Sequence, residues 1–314
     1  MITLADVTAA RSRIAPYTRR TPVMAATAMR DPLPFEAELV LKLELFQVTG
    51  SFKARGAMNR YLADRAGIPP AGIVTASGGN HGLAVARTAH AAGARATIFV
   101  PSAVRPEKVE KMRGWNAEVR IVGDEWSVSN EAALAFAAET GASYFHPFAD
   151  PLVVAGQGTL GLEILEQIDG LDALVVAIGG GGLISGLATA IKAQRPDVRI
   201  IGVEPEGSPT LAASLQAGRK IRLDAVTSRV ATMSCRETDE RIFRIVQQAV
   251  DEVVLVSDDD MLHASRWLWS EFGIAADLSG AASIAALRRW PDRVRGAKRV
   301  CALVCGAGPD GIGG

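Results

Sequence analysis

The sequence predicts an α/β fold with two lobes, each built around a doubly wound, mostly parallel sheet with helices on both faces. Short apolar runs alternate with helical patterns from Gly72 onward, and a second alternating block runs from about Pro151 to Arg299. Such alternation is typical of parallel sheets, which need a crossover helix between neighbouring strands. The chain has 314 residues, 48% of them hydrophobic, which is enough for two cores. We therefore expect a cleft between the lobes, with ligands at the carboxyl ends of the strands.

The individual elements can be placed in chain order. Thr3 to Ala15 has the pattern of an amphipathic helix with Thr3 as its N-cap, and alternation over Glu38 to Glu44 predicts a strand. A helix is predicted from Phe52 to Ala66. Further strands are predicted at 73–76, 96–100, 119–122, 144–145, 173–178, 199–203, 252–256 and 299–304. Further helices are predicted at 79–92, 106–113 and 126–140.

The prolines and glycines between His146 and Gly158 mark a crossing between the lobes, and Thr159 reads as part of an ordinary helix start. We therefore assign residues 1–71 and 150–314 to a large domain. Residues 72–149 are assigned to a small domain.

Composition argues against several classes of partner. The formal net charge is zero and no basic stripe is present, which disfavours nucleic acid. No apolar run approaches the roughly 20 residues that span a bilayer, which disfavours a membrane. The cysteines, Cys235, Cys301 and Cys305, form neither a disulfide framework nor a CxxC pair, and the N-terminus lacks a signal-peptide core. A cytoplasmic location is therefore expected.

Lys53 stands at the predicted start of a helix, directly after the corner Thr49-Gly50-Ser51. The helix dipole disfavours an ammonium ion at this end and so lowers its pKa. A lysine amine with a lowered pKa is prepared for Schiff-base chemistry. The alternative is an ordinary solvated lysine near a helix start.

Two strand-to-helix turns could bind anions. Ser77 to Gly82 and Gly179 to Gly182 both offer backbone N–H groups at a predicted helix start. In the first turn, Ser77 could instead simply cap the helix. The second turn could instead belong to a dinucleotide site, because Glu204 follows about 20 residues later. However, the spacing from Gly180 is G-x-G-x-x-x-G and not the six-residue fingerprint.

Four motifs, in the order in which they occur along the chain, resemble the motifs of one family. Thr49 to Ala57, preceded by Lys42-x-Glu44-x-x-Gln47, resembles the lysine motif of the fold-type II pyridoxal-phosphate enzymes. Among them it is similar to the serine/threonine dehydratase family, which includes serine racemase. The other motifs are Ser77 to Gly82, the His-Pro-Phe and Gly-Gln-Gly-Thr segments within His146 to Thr159, and the four glycines from Gly179. The resemblance implies a tryptophan synthase β-like fold whose large domain binds the cofactor.

The resemblance also implies a role for each candidate site residue. Lys53 holds pyridoxal 5'-phosphate as a Schiff base and is the catalytic residue. The substrate carboxylate is bound by Ser77, Gly78, Gly79, Asn80 and His81. The cofactor contacts are Phe52 beside the ring, Asn80 at the ring hydroxyl, Gly179, Gly180, Gly181 and Gly182 at the phosphate, Leu183, and Cys305 at the pyridine nitrogen.

Three departures from the family pattern affect what the resemblance implies. Gly78 stands where racemising members have a serine that serves as acid and base, which favours elimination. Thr210 replaces a carboxylate that, together with a glutamate matching Glu204, helps to hold a divalent cation in some relatives, so we expect no required metal. Val230 to Thr232 replaces an Ala-Asp-Gly loop that approaches the substrate, which leaves the substrate open.

The implied reaction is the β-elimination of water from L-threonine or L-serine, which gives a 2-oxo acid and ammonia. The freed Lys53 amine takes the α-proton as general base. Racemisation, or elimination on 3-hydroxyaspartate or another β-hydroxy amino acid, is the alternative within the family. An NAD-binding oxidoreductase and a non-catalytic amino-acid sensor are alternatives of other classes. The expected partner is a small-molecule amino-acid substrate, and the family-level expectation is a homodimer.

Overall fold

The computed structural model describes residues 1–312 of the chain. Its strands are β1 (Val23–Ala25), β2 (Glu38–Lys42), β3 (Ile73–Ala76), β4 (Ala96–Val100), β5 (Glu118–Ile121), β6 (Ser143–Tyr144), β7 (Ala173–Ala177), β8 (Arg199–Pro205), β9 (Glu252–Val256) and β10 (Arg299–Leu303). Its helices are α1 (Leu4–Ile14), α2 (Lys53–Ala63), α3 (Asn80–Ala92), α4 (Pro106–Arg113), α5 (Trp126–Thr140), α6 (Pro151–Gln167), α7 (Gly182–Lys192), α8 (Thr210–Ala217), α9 (Glu240–Ala249), α10 (Asp258–Phe272) and α11 (Leu278–Arg289). None of these helices within residues 1–312 is both long and apolar enough to cross a membrane. The last two residues of the range assigned to the large domain lie outside the described residues.

Six strands form the larger sheet, in the order β1-β2-β10-β7-β8-β9. Neighbouring strands run parallel except β1, which pairs antiparallel with β2. Every residue of the central strand β7 is buried. A parallel strand between two layers of helices is covered on both faces, which is why its sequence, Ala-Leu-Val-Val-Ala, is apolar throughout.

The smaller sheet contains four parallel strands in the order β5-β4-β3-β6. Successive residues of β3 point to opposite faces of the sheet. Ile73 belongs to a core cluster with residues of α3 and α4, whereas Val74 belongs to a cluster with residues of α5. Helices therefore cover both faces of this sheet. The predicted fold class, parallel sheets with helices on both faces, is confirmed.

Most predicted elements are found, with shifts of one or two residues at their ends. Thr3 caps α1 through a capping box, as its sequence predicts. The predicted bounds are met for 73–76, 96–100, 106–113, 126–140 and 252–256. The helix predicted to reach Ala66 ends at Ala63, because Asp64 leaves the helical region with φ −125° and the chain tightens into a 3₁₀ turn.

Helix α6 begins earlier than predicted. Asp150 caps it, and Pro151 occupies the first position, where a missing N–H costs no hydrogen bond. Thr159, expected near a helix start, therefore lies in the middle of the helix. Glycines inside α6 allow close packing, since a Cβ at Gly158 would lie 2.8 Å from the carbonyl oxygen of Gly186 in α7.

Candidate active site

Lys53 is the first residue of α2, as its sequence predicts. Its Nζ donates a hydrogen bond to the carbonyl oxygen of Pro147 at 2.8 Å. Burial lowers the pKa of Lys53 to about 8. Loss of water around the ammonium group, and not the helix dipole expected from the sequence, therefore accounts for the low pKa.

Cys305 follows β10 and adjoins the start of α2. The backbone N–H of Phe52 donates to the carbonyl oxygen of Cys305 at 3.3 Å. The side chain is buried, with Sγ 3.4 Å from the carbonyl oxygen of Ser279. Burial raises the pKa of the Cys305 thiol, so the thiol is neutral. A neutral thiol can form a hydrogen bond with a ring nitrogen without placing a charge beside it.

The glycine loop, Gly179 to Gly182, forms the turn between β7 and α7. Gly181 has a φ of +88°, which residues with a Cβ rarely adopt. A Cβ at Gly180 would lie 2.3 Å from the ring of Phe148, whose preceding carbonyl group accepts the hydrogen bond from Lys53. No side chain within residues 1–312 caps α7. Its first-turn N–H groups are therefore suited to an anion.

The Ser77 turn, residues Ser77 to His81, connects β3 with α3. Thr232 lies between this turn and the glycine loop and is close to both. A Cβ at Gly79 would lie 3.6 Å from Cγ2 of Thr232, and a Cβ at Gly179 would lie 3.1 Å from its carbonyl oxygen. Ser77 Oγ accepts a hydrogen bond from the backbone N–H of Gly79 at 3.3 Å. Because Gly79 is the N-cap residue of α3, Ser77 orders the turn and does not occupy the cap position.

Asn80 is linked to the chain segment after Cys305. Its Nδ2 donates to Oδ2 of Asp277 at 3.2 Å. Asp277 is the N-cap of α11, and its backbone N–H donates to the carbonyl oxygen of Gly306 at 3.1 Å. Burial raises the pKa of Asp277. This side-chain hydrogen bond therefore links the helix that follows β3 of the smaller sheet to the helix that precedes β10 of the larger sheet.

These contacts form a closed series, and the region that the series surrounds is called the cleft. The series runs through Lys53, Pro147, Phe148, the glycine loop, Thr232, the Ser77 turn, Asp277, Gly306, Cys305 and Phe52. Gly78, His81 and Leu183 are sequence neighbours of its members. The fold thus brings the predicted site residues together, while their individual roles stay predictions.

Two histidines near Lys53 are neutral. Nε2 of His81 lies 3.1 Å from the carbonyl oxygen of Phe145, and burial lowers the pKa of His81 to about 3. Nδ1 of His146 accepts two backbone hydrogen bonds, at 3.2 and 2.9 Å, and burial lowers the pKa of His146 to about 4. Neither ring therefore places a positive charge beside the Lys53 amine.

A buried ionic network anchors the first turn of α2. Arg55 donates to both carboxylate oxygens of Glu44, at 2.5 and 2.9 Å, and its Nη2 lies 2.9 Å from Glu163 of α6. Lys42 of β2 donates to the same Glu163 at 2.6 Å. All four side chains are buried, and their two positive charges balance their two negative charges. The network therefore ties α2 to β2 and α6 without leaving a buried charge unpaired.

The residues of the cleft fit a ligand that carries an aldehyde, a phosphate and a ring nitrogen. An amine whose pKa is about 8 is partly neutral near physiological pH and can attack an aldehyde. The glycine loop at the start of α7 suits a phosphate. The buried hydroxyl groups of Ser51 and Ser185, close in sequence to Lys53 and to the glycine loop, have no hydrogen-bond partner within residues 1–312. This set of groups fits pyridoxal phosphate.

Glu204 is used inside the fold. Its two oxygens accept the backbone N–H groups of Leu211 and Ala212, each at 2.8 Å, so it caps α8. It is fully buried, and burial raises its pKa to about 8. These contacts disfavour the dinucleotide interpretation, in which this carboxylate would bind a ribose. In the described part of the chain no cluster of three or more His, Cys, Asp or Glu side chains could hold a metal, and the absence of a metal requirement stays a prediction.

The sequence profile described as pyridoxal-phosphate dependent enzyme matches residues 14–306. The chain belongs to this family. An L-threonine ammonia-lyase of Thermotoga maritima is 36% identical over 310 residues, which cover 99% of this chain and 76% of that protein. A catabolic L-threonine dehydratase of Staphylococcus aureus is 35% identical over 319 residues, which cover 99% of this chain and 90% of that protein.

Solved structures of other proteins share the fold of this pyridoxal-phosphate enzyme. A threonine deaminase from T.th. has a TM-score of 0.90 and 38% identity, covering 98% of both chains. Maize serine racemase has a TM-score of 0.92 and 32% identity, covering 97% of this chain and 93% of that chain. The predicted family, fold class and cofactor are confirmed.

Several members of the closed series, Pro147 and Asp277 among them, have no role predicted from the sequence. Pro147 contributes only its carbonyl oxygen, which carries no sequence signal. Asp277 directly precedes a helical run, and an aspartate in that position is the signal of an N-cap. That signal predicts a helix start, but it gives no indication that the other carboxylate oxygen reaches Asn80.

Proposed function

We propose that the protein is a pyridoxal-phosphate-dependent lyase that eliminates water from a β-hydroxy amino acid, L-threonine or L-serine. The released enamine then reacts with water and gives a 2-oxo acid and ammonia. The observation that carries the proposal is the Lys53 amine, which has a pKa of about 8 and lies among the glycine loop, the Ser77 turn and Cys305. The relatives named as threonine ammonia-lyase and dehydratase support the same reaction.

We assign the cofactor contacts to residues around the cleft. Pyridoxal phosphate, when bound, withdraws electrons from the α-carbon of an amino acid and so makes its proton removable. The residues that would hold it are Lys53 by a covalent bond to its aldehyde carbon, Gly179, Gly180, Gly181, Gly182 and Leu183 at the phosphate end, Asn80 at the ring hydroxyl, Cys305 at the ring nitrogen and Phe52 beside the ring.

The chain's own residues accept the α-proton of the substrate and bind its carboxylate. Lys53 Nζ, in its neutral form, accepts the α-proton of the substrate as general base. The carbonyl oxygen of Pro147 holds this amine by one hydrogen bond. His81 and His146 are neutral, so neither places beside the amine a positive charge that would lower its pKa further. Backbone N–H groups of the Ser77 turn bind the substrate carboxylate at the start of α3.

Racemisation is the alternative within the family, and maize serine racemase is a structural relative. Gly78 has no side chain that could give or take a proton on the far side of the α-carbon. A Cβ at Gly78 would lie 2.1 Å from Cγ2 of Val104, so any longer side chain there requires Val104 to move. We therefore favour elimination over racemisation.

We further propose that residues 1–71 and 150–314 form a large cofactor-binding domain, residues 72–149 form a small domain, and the substrate enters between them. We propose a homodimer on the basis of the family resemblance. We propose a cytoplasmic location because the three free thiols suit a reducing compartment. Limited proteolysis tests the division, because it should cut first near residues 71 and 150. Cell fractionation tests the location, and enzyme recovered in a secreted fraction would overturn it.

The first test compares the wild-type protein with Lys53→Ala. The wild type should show a visible absorption band with pyridoxal phosphate, lose it on borohydride reduction, carry the adduct on Lys53, and release a 2-oxo acid from L-threonine or L-serine. Lys53→Ala should lose covalent attachment and turnover. Lys108→Ala, at an exposed lysine of α4, is the control and should behave as the wild type.

Three outcomes would contradict parts of the proposal. Turnover retained by Lys53→Ala would remove the assigned base. Recovery of D-amino acid from L-substrate would favour racemisation. Cofactor binding without ammonia release from any β-hydroxy amino acid, 3-hydroxyaspartate included, would favour an amino-acid sensor, and binding of NAD with no visible band would favour an oxidoreductase.

A further inference from the structure

We propose that Asp277 is a positioning residue of the active site, whose carboxylate orients the side-chain amide of Asn80 toward the cleft. The inference rests on the proposed function, in which Asn80 contacts the cofactor. Asp277 itself is not assigned any contact with substrate or cofactor.

The two oxygens of the Asp277 carboxylate have different partners. Oδ1 accepts hydrogen bonds from Ser279 Oγ at 2.7 Å and from the backbone N–H of Gly280 at 2.6 Å, and so caps α11. Oδ2 accepts the hydrogen bond from Asn80 Nδ2 at 3.2 Å. Capping a helix needs only one oxygen. The second oxygen therefore performs a separate task, which is to hold the amide of Asn80.

Asp277 is held rigidly in the orientation that this task requires. Its backbone N–H donates to the carbonyl oxygen of Gly306. A Cβ at Gly306 would lie 2.7 Å from Oδ2 of Asp277, and a Cβ at Gly308 would lie 2.6 Å from the Cβ of Asp277. The backbone after Cys305 thus packs directly on this side chain, which leaves the carboxylate little room to swing. A rigid acceptor fixes its donor better than a mobile one.

The hydrogen bond joins the two sheets at the cleft. Asn80 begins α3, which follows β3 of the smaller sheet, whereas Asp277 begins α11, which precedes β10 of the larger sheet. The amide nitrogen of Asn80 carries two hydrogens. When one of them is fixed on Asp277, the plane of the amide is set, and the second hydrogen has a defined direction for a ligand.

The competing explanation is that Asp277 only caps α11. Asp277→Ser separates the two explanations, because serine is as good an N-cap as aspartate but its short hydroxyl cannot also reach Asn80. Asp239→Ser is the control for the loss of a capping aspartate, since Asp239 caps α9 through a backbone N–H of its first turn and is not assigned to the site. Asp277→Asn is the second variant should serine prevent folding, because it keeps one carbonyl oxygen for the cap and loses the second acceptor.

The experiment measures the dissociation constant of pyridoxal phosphate by titrating cofactor-free protein and following the visible absorption band. Asp277→Ser should bind the cofactor about tenfold more weakly, the loss expected for one hydrogen bond to a charged group. Asp239→Ser should bind as the wild type, and urea unfolding of both variants reports the stability that each one loses. Asn80→Ala should weaken binding to a similar extent, and the double variant Asn80→Ala/Asp277→Ser should lose no more than either single variant.

Two results would overturn the proposal. Wild-type affinity in Asp277→Ser would leave Asp277 as a cap only. Additive losses in the double variant would show that Asp277 acts independently of Asn80. If the wild-type protein binds no pyridoxal phosphate, the proposed function fails. Hydrogen exchange at Ser77 to Gly82 in cofactor-free protein then tests the positioning role of Asp277. Faster exchange in Asp277→Ser than in Asp239→Ser supports that role, and equal exchange rejects it.

Discussion

The acid–base character of Lys53 depends on where its side chain lies. Its ordinary pKa is 10.5, and burial lowers it to about 8 because the ammonium form loses its water. One carbonyl oxygen, from Pro147, replaces part of that water. The neighbouring thiol of Cys305 is kept neutral by its own burial, so it offers little charge to stabilise the ammonium. A large fraction of the Lys53 amine is therefore neutral slightly above neutral pH.

This pKa predicts a pH dependence for covalent attachment. Only the neutral amine attacks an aldehyde, so trapping of pyridoxal phosphate on Lys53 in cofactor-free protein should accelerate as the pH rises through about 8 and then level off. Free Nα-acetyl-lysine in the same solution is the control, and its rate should keep rising toward the ordinary lysine pKa of about 10.4. Borohydride trapping and peptide mass spectrometry give both rates, and a Lys53 rate still rising steeply above pH 9 would contradict the lowered pKa.

At the scale of elements, α2 carries Lys53 into the cleft and is fixed by buried charges. Arg55 lies two residues after Lys53 and pairs with Glu44 and Glu163, and Lys42 pairs with Glu163 from the adjacent strand. Each buried charge has an opposite partner, which offsets the cost of removing it from water. Removing one charged side chain of this network leaves its buried neighbours without one of their partners of opposite charge.

Two substitutions in α6 test the network. Glu163→Ala should lower the free energy of unfolding by about 3–5 kcal/mol, because it leaves Lys42 and Arg55 as buried cations without this partner. Glu166→Ala removes a glutamate that pairs with Arg11 at the surface and should cost at most about 1 kcal/mol. Urea unfolding of the cofactor-free variants gives both values, and equal losses would show that burial of the pairs adds nothing.

At the scale of the whole molecule, the site draws residues from both sheets. The smaller sheet presents the Ser77 turn at the carboxyl end of β3, and the larger sheet presents the glycine loop at the carboxyl end of β7 and Cys305 after β10. In parallel sheets these ends lie where ligands bind. The Asn80–Asp277 hydrogen bond and the contacts of Thr232 connect the two halves across the cleft.

The expected assembly is a homodimer, and its mass in solution tests this. Sedimentation equilibrium should give twice the 33.0 kDa of the single chain. Lys53→Ala should give the same mass, because its side chain is directed toward Pro147 within the chain and not toward a second copy. A mass of one chain across the concentration range would reject the dimer.

Local patterns in the sequence determined most of the fold and part of the site. Alternating apolar runs predicted strands such as Ile73–Ala76 and Glu252–Val256, because a strand between layers of helices must be apolar on both faces. The Lys53 helix start, the Ser77 turn and the glycine loop could also be recognised, since each is a short segment whose conformation depends on its own residues.

Tertiary structure alone decided what joins those segments. Asn80 and Asp277 are 197 positions apart, and Lys42 and Glu163 are 121 apart, so no local pattern pairs them. The pKa of Lys53 likewise follows from burial by distant segments, and the close packing of the α6 glycines against α2 and α7 involves residues far apart in the sequence. Propensity and spacing act over a few residues, whereas desolvation and long-range hydrogen bonds exist only after the chain has folded.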